Sequence, residues 1–394
     1  MNYRTGFSLH RAADGAFESW TGAGCRLLDG CLALDAACAA QGADALEYYS
    51  GPYLYGEATS PELPAGFPFT ACIPSWNAEV PRGSWIELHL RARTGGVWTT
   101  WRSLGVWAPD DSAIQRHSVE AQDDDAARVA TDTLLLTEAA TAFQARFRLF
   151  SATADVHASS SKQGDQGATP VVRAFSLACS DRKPAASDIV PSPPLRAPLA
   201  GARGKVLGGV PRCSQMVYPN GGNVWCSPTS VSMVLGFWRN DDGPCETRVK
   251  AAVAGVYDHV YDGHGNWSFN VAYAGSFVGM EAYVARFTGL DRLEPWLAAG
   301  VPVVLSVSWN NDEGRVLSGA PVPKSSGHLT TLVGFDEDGN AVMNEPASPS
   351  NETVRRTYDR SELERCWLSA SGGAAYLIFP TGVDGAGLFR RTVG

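Results

Sequence analysis

A proline-rich stretch from Asp181 to Gly204 divides this chain of 394 residues into nearly equal halves. Pro184, Pro191, Pro193, Pro194 and Pro198 remove backbone donors and bias the chain toward extended conformations, which suits a linker. A chain this long also exceeds what one hydrophobic core usually organises. The expectation is two domains, residues 1–180 and 205–394, joined by a linker over 181–204.

Upstream of this seam the hydrophobic period is two. Ile86, Leu88, Leu90 and Ala92 alternate with Glu87, His89, Arg91 and Arg93, the pattern of a half-buried strand. Phe143, Ala145, Phe147 and Leu149 alternate in the same way with Gln144, Arg146 and Arg148. Thr133 to Leu136, Val97 to Trp107 and Val171 to Leu177 also read as strands, with Thr94-Gly95-Gly96 as a turn. The first half is therefore expected to be an all-β sandwich of jelly-roll type. Ser151 to Gly167 reads as a surface loop. Trp85, Trp98, Trp101 and Trp107 carry two readings. Exposed rings would stack on a glycan, whereas buried ones would fill the core or pair across hairpins. Asp123-Asp124-Asp125 reads as a solvated turn, since no regular ligand spacing for calcium follows it.

Downstream the pattern changes. Ser230 to Trp238, Glu246 to Tyr257, Phe277 to Phe287 and Leu290 to Ala299 suit helices. Val301 to Trp309, His328 to Asp336, Ala341 to Met343 and Ala374 to Pro380 suit strands of one sheet. Helices first and an antiparallel sheet afterward predict an α+β domain.

Charge and composition exclude several classes. The formal net charge is -9 and no cluster of Lys and Arg stands out, so nucleic acid is not an expected partner. No apolar run approaches the roughly 20 residues of a membrane span. The opening residues lack the charged-then-apolar layout of a signal peptide. They predict a cytoplasmic protein, or a secreted one if a signal has been trimmed away. The nine cysteines include no CxxC spacing, and an odd count leaves at least one thiol unpaired. No metal and no cofactor are expected, and most of the cysteines read as small buried hydrophobes.

One cysteine stands apart by its neighbours. Cys226 follows the glycine-rich segment Pro219 to Val224 and precedes the apolar helix, with Pro228 suited to its first turn. A thiol at a helix N-terminus lies against unpaired N–H groups and the positive end of the dipole, and both favour the thiolate. Such a nucleophile needs a base within reach, and the base needs an orienting partner. His328 opens a strand after Gly327. A glycine-containing hairpin then returns the chain to Asn344-Glu345-Pro346, so the start of one strand is expected beside the end of the other.

These blocks together resemble the bacterial C39-like cysteine peptidases. They are Gln215, WCSPTSVSMVL, GNWSFNVAYAG, AGVPVVLSVSW, SSGHLTTLVGFDEDGNAVMNEPAS and the closing YDRSELERCW to AAYLIFP. The resemblance spans roughly residues 205–380 and keeps the order Gln, Cys, His, acid. It implies a papain-like fold that cleaves a peptide or amide bond through an acyl-thioester on Cys226, with His328 as base. Gln215 and the Cys226 backbone N–H would then form an oxyanion hole. The family pattern is Asn-Asp-Pro where this chain has Asn344-Glu345-Pro346. Glu345 thus takes the Asp position, one methylene longer, and must fold back to reach His328 Nδ1. Alternation puts Asn344 on the opposite face, so only one of the two can readily orient the imidazole. Glu345 is the expected one and Asn344 the papain-like alternative.

Trp225, Trp267 and Asn266 are the candidate substrate contacts, with packing beneath the helix or buttressing a loop as the other reading of each. Tyr218 and Trp309 are weaker candidates. Arg356 to Arg360 reads as a solvated edge with Tyr358 packed inward. Three functions follow: a hydrolase of peptides, an acyltransferase or transpeptidase using the same thioester, or a binding protein for peptide or glycan with an inert site.

Overall fold

The computed structural model describes residues 3–42, 49, 51–152, 169–195 and 202–393. Apart from Ser151 and Ala152, the loop expected at Ser151 to Gly167 lies outside the described residues.

The first half is built of strands: β1 (Thr5–Arg11), β2 (Thr21–Ala23), β3 (Cys25–Leu28), β4 (Cys31–Leu34), β5 (Ala40–Gly42), β6 (Tyr53–Thr59) and β7 (Leu63–Glu79). β8 (Ser84–Thr94), β9 (Val97–Trp98), β10 (Arg102–Trp107), β11 (Ala127–Ala130), β12 (Thr133–Ala152) and β13 (Val171–Ser180) complete it. The predicted alternation holds on β12. Phe143, Ala145, Phe147 and Leu149 are buried while Gln144, Arg146 and Arg148 stay half-exposed.

These strands hydrogen-bond into one 13-stranded sheet, where a sandwich of two sheets was expected. The cause is strand length. β12 runs for 20 residues and pairs with β7 near Leu134, with β8 from Ala140 to Ser151 and with β6 from Arg146 to Ala152. Its register shifts between Leu135 and Ala140, so one strand serves different neighbours along its length. Short alternating runs in the sequence cannot reveal that they are one strand.

Helices α1 (Cys226–Trp238), α2 (Cys245–Val256) and α3 (Trp267–Gly275) follow. Cα packing separates two compact units. One comprises Ser8–Leu177 with Tyr257–Ser276, the other Met1–Phe7, Ala178–Val256 and Phe277–Gly394. The segment expected as a loop around Asn266 and Trp267 is thus a helix of the sheet unit. Ser268 donates to the Pro74 carbonyl at 2.7 Å, and Phe269 lies 5.5 Å from Trp107 and 6.3 Å from Trp76. Gly105, at φ +133, makes room for this ring, because a Cβ there would stand 2.8 Å from Phe269.

The other unit holds a second sheet of β14 (Met280–Arg286), β15 (Val303–Asn310), β16 (Lys324–Phe335), β17 (Ala341–Asn344), β18 (Arg355–Tyr358) and β19 (Ala374–Pro380). Their order is β14-β19-β15-β16-β17-β18. Phe277 to Phe287, expected as a helix, is largely strand. Its Met, Glu and Ala suit either state, and seven antiparallel pairs with the apolar β19 decide for the sheet. Leu290 to Ala299 forms only a 3-10 turn and the short helix α4 (Glu294–Ala298). Helix α5 (Arg360–Ser371) went unread in the sequence. Arg360 sits at its start, 6% exposed and paired with Glu294 at 2.8 Å, so this end of the Arg356 to Arg360 run is not a solvated edge.

The described part of the proline-rich stretch is strapped down. Ser192 N–H and Oγ donate to Glu364 at 2.7 and 2.6 Å, and its carbonyl accepts from Arg360 Nε at 2.7 Å. Proline removes donors but leaves carbonyls and the remaining N–H groups; here the buried Glu364 carboxylate answers the N–H and the Arg360 guanidinium the carbonyl. Among the described residues no helix is long and apolar enough to cross a membrane.

Cysteine placement departs from expectation. Cys213 and Cys245, 32 residues apart, form a disulfide, and Cys25, Cys31 and Cys38 are part-exposed or exposed. Such a long separation leaves no spacing signature to read.

Candidate active site

Cys226 opens α1, and the local sequence explains how it gets there. Gly221 adopts a left-handed conformation at φ 87, and Gly222 passes the Gln215 carbonyl so closely that a Cβ would lie 2.2 Å from that oxygen. Only glycine permits this approach. The helix start is then fixed by side chains. Ser227 Oγ meets Tyr376 Oη of β19 at 3.0 Å, and Ser230 Oγ donates to the Leu329 carbonyl of β16 at 3.1 Å. Leu329 follows His328, so the second bond docks the helix against the strand that carries the imidazole.

His328 is buried and lies opposite Val307 of β15. The ladder breaks between Val307 and Trp309, and Trp309 presents its ring edge-on to the imidazole at 5.3 Å and 89°. Glu345 follows β17 and is fully buried. Its Oε1 bonds His328 Nε2 at 2.5 Å and accepts the Ala347 N–H at 2.9 Å. Tyr358 Oη donates to Oε2 at 3.3 Å. The carboxylate therefore meets Nε2, not the expected Nδ1, and the imidazole acts on the Cys226 thiol, drawing it below its ordinary value.

Asn344 points elsewhere. Its amide donates to the Pro211 carbonyl at 2.9 Å and accepts from Arg355 Nε at 2.7 Å, so it ties down the chain leading to Gln215. Gln215 is 2% exposed, and its backbone N–H donates to the Pro346 carbonyl at 2.8 Å. No donor reaches its side-chain Oε1 among the described residues.

The electrostatics couple the three titrating groups. Burial alone would raise the Cys226 thiol, but the hydrogen bond and charge of His328, with the Leu329 N–H, hold it below its ordinary value. Burial would lower His328, yet Glu345 and the Cys226 thiol raise it well above the usual imidazole range. Glu345 is likewise pushed up by burial and pulled below the ordinary carboxylate value by His328, Ala347 and Thr330. These shifts favour a thiolate at Cys226 beside an imidazolium at His328. Burial instead pushes Cys25 and Cys366 up to about 12.

Residues 208–375 match the Peptidase C39 like family, and residues 8–180 match the Peptidase C39 N-terminal domain. Over residues 208–375 the chain is thus similar to the C39-like peptidases. A solved structure from Bacillus anthracis, itself assigned to the C39-like peptidases, is similar at 17% identity with a TM-score of 0.32. The match covers 44% of this chain and 96% of that one. No curated protein matches.

Of the remaining candidates, Trp225 is half-buried at the residue before Cys226, with its ring 5.6 Å from Tyr218. Asn266 belongs to the sheet unit and is fully buried. Its Oδ1 caps α3 at Phe269 N–H, and its Nδ2 donates to Asp258, so this side chain is structural and offers nothing to a substrate. Trp267, half-buried, donates its backbone N–H to Asp132. Sequence reasoning ranked Trp309 low, as a substrate contact. Its edge contact with His328 makes it a positioning residue, which no linear spacing shows.

Proposed function

We propose that this chain is a cysteine hydrolase that cleaves a peptide or related amide bond, on a papain-like arrangement of Cys226, His328 and Glu345. The reading rests chiefly on the imidazole, which meets a buried carboxylate at 2.5 Å and draws the Cys226 thiol below its ordinary value. In this mechanism Cys226 Sγ attacks the carbonyl carbon and a C–S bond forms. The amide C–N bond breaks as His328 delivers its proton to the leaving nitrogen. Water, giving a proton to His328, then attacks the thioester and releases the acid and the thiolate. Glu345 holds the ring and its charge throughout. The Gln215 amide and the Cys226 N–H face the developing oxyanion.

A cleft of about 630 Å³ walled by Val217, Tyr218, Pro244 and Trp225, the residue before Cys226, is the proposed seat for part of the peptide. The Cys213–Cys245 disulfide favours work in an oxidising compartment.

Cys226→Ala is expected to abolish turnover of a peptide library while leaving the melting transition unchanged. Retained turnover in that variant would refute the reading. Iodoacetamide at neutral pH separates an active site from an inert one: Cys226 should label ahead of Cys25 and Cys366. Adding a primary amine separates hydrolysis from acyl transfer, since a transferase would give the amine adduct in place of the free acid.

A further inference from the structure

One face of the sheet unit carries a second site. Alternation on β8 puts Trp85, Glu87 and His89 on the same side, and register sets Phe150 opposite Trp85 and Arg148 opposite Glu87 on β12. Ser103 of β10 lies opposite His89. These residues, with Trp101, line a cavity of about 250 Å³.

Trp85 and Phe150 stack at 5.0 Å within 4° of parallel and are each 2% exposed, giving one aromatic side. Glu87 Oε2 accepts from His89 Nε2 at 3.2 Å and from Arg148 Nη1 at 3.1 Å, leaving Oε1 with no partner among the described residues. Ser103 is 7% exposed, and its Oγ has no hydrogen-bond partner among the described residues. Its backbone is satisfied by Gln122, so the hydroxyl alone is left over. Trp101 is half-buried, with Arg91 and Arg146 lying 4.6 and 4.2 Å from its ring centroid.

A buried hydroxyl without a partner is destabilising, and a ligand that bonds it recovers that loss. The charges limit what the ligand can be. An anion would meet Glu87, a cation would meet Arg148, and an apolar molecule would strip water from Glu87 and Ser103 without replacing it. A neutral ring with an apolar face and a rim of hydroxyls satisfies every group. The volume falls below the roughly 300–1,000 Å³ of drug-sized sites, which suits one such ring. We infer that the cavity between Trp85, Trp101, Glu87 and Ser103 binds a single pyranose unit of a glycan.

This inference stands apart from the peptidase reading and is tested on the full chain carrying Cys226→Ala. Methyl glycosides of glucose, galactose, mannose, xylose and N-acetylglucosamine are titrated while tryptophan fluorescence and binding heat are followed, with glycerol as the polyol control. At least one sugar should give a saturable response that glycerol does not. Glu87→Gln should weaken it about tenfold or more, and Ser103→Ala about threefold. Glu87→Gln is isosteric; should it fail to fold, Ser103→Ala and Trp101→Ala supply the reading. No saturable response to any of the five sugars, an equal response to glycerol, or wild-type affinity in the folded variants would overturn the assignment.

Discussion

Each compact unit contains a glutamate bonded to a histidine, and the two pairs behave as different objects. Glu87 and His89 lie two residues apart on one strand, 3.2 Å from each other, with both side chains 19% exposed. Glu345 and His328 come from opposite ends of a hairpin, meet at 2.5 Å and are 0% and 5% exposed. Water screens the first pair, so its attraction contributes at most about 1 kcal/mol. Nothing screens the second. There the mutual field outweighs the burial penalty on both groups, and it also reaches Cys226. The same two side chains form a surface contact in one unit and the electrostatic centre of a proposed catalytic site in the other. Burial makes the difference.

The largest test of that contrast is Glu345→Gln. It leaves the imidazolium buried beside a neutral amide, so activity is expected to fall on the order of 10²–10⁴-fold and stability by about 3–5 kcal/mol. The pH dependence follows from the shifts. His328, raised above its ordinary 6.5, contributes stability that is complete below that value and lost as pH rises through the raised one. Glu345, lowered from its ordinary 4.5, contributes stability that is present above that value and lost as pH falls through the lowered one. Wild type and variant should therefore differ most between these two ordinary values, as pH-dependent denaturant melts will show. The rate of Cys226 alkylation should plateau well below 9.0, the ordinary thiol value. Its alkaline limb should move to lower pH in Glu345→Gln.

Reducing the disulfide is the next largest effect. Opening a loop with a 32-residue separation is expected to cost about 4 kcal/mol, or roughly 8–16 °C in melting temperature. Cys213 lies two residues before Gln215, so kcat should fall along with stability under reductant. Trp309→Phe keeps an aromatic edge near His328 but loses the indole bond to the Val322 carbonyl at 2.9 Å. It should lower kcat several-fold with little change in KM, at a cost of about 1 kcal/mol. Glu87→Gln closes the series. It should shift stability by no more than about 1 kcal/mol and leave Cys226 alkylation unchanged. A loss comparable to that of Glu345→Gln would erase the contrast.

The reactive constellation was largely legible because its parts are local. Cys226 at the start of an apolar helix, His328 on a strand and Glu345 just past the end of the returning strand are each a short pattern, although β16 begins at Lys324 and so carries His328 inside the strand and not at its start. The β character of the first half was legible for the same reason, since alternation is read over a few residues. Helix Trp267–Gly275 and strand Met280–Arg286 were not, because their residues suit more than one state and tertiary packing chose.

The amino-acid order by itself singled out Cys226, His328 and Glu345 as candidates and showed the period of the clearly alternating strands, because side-chain direction along a helix or strand follows from chain position alone. Only the tertiary structure decided which imidazole nitrogen meets Glu345, that Asn344 turns away, that Cys213 joins Cys245, and that strands β8, β10 and β12 bring Ser103 to the wall of a cavity. Those outcomes depend on distances between residues far apart in the chain. Such distances are fixed by packing and burial, which no local spacing encodes.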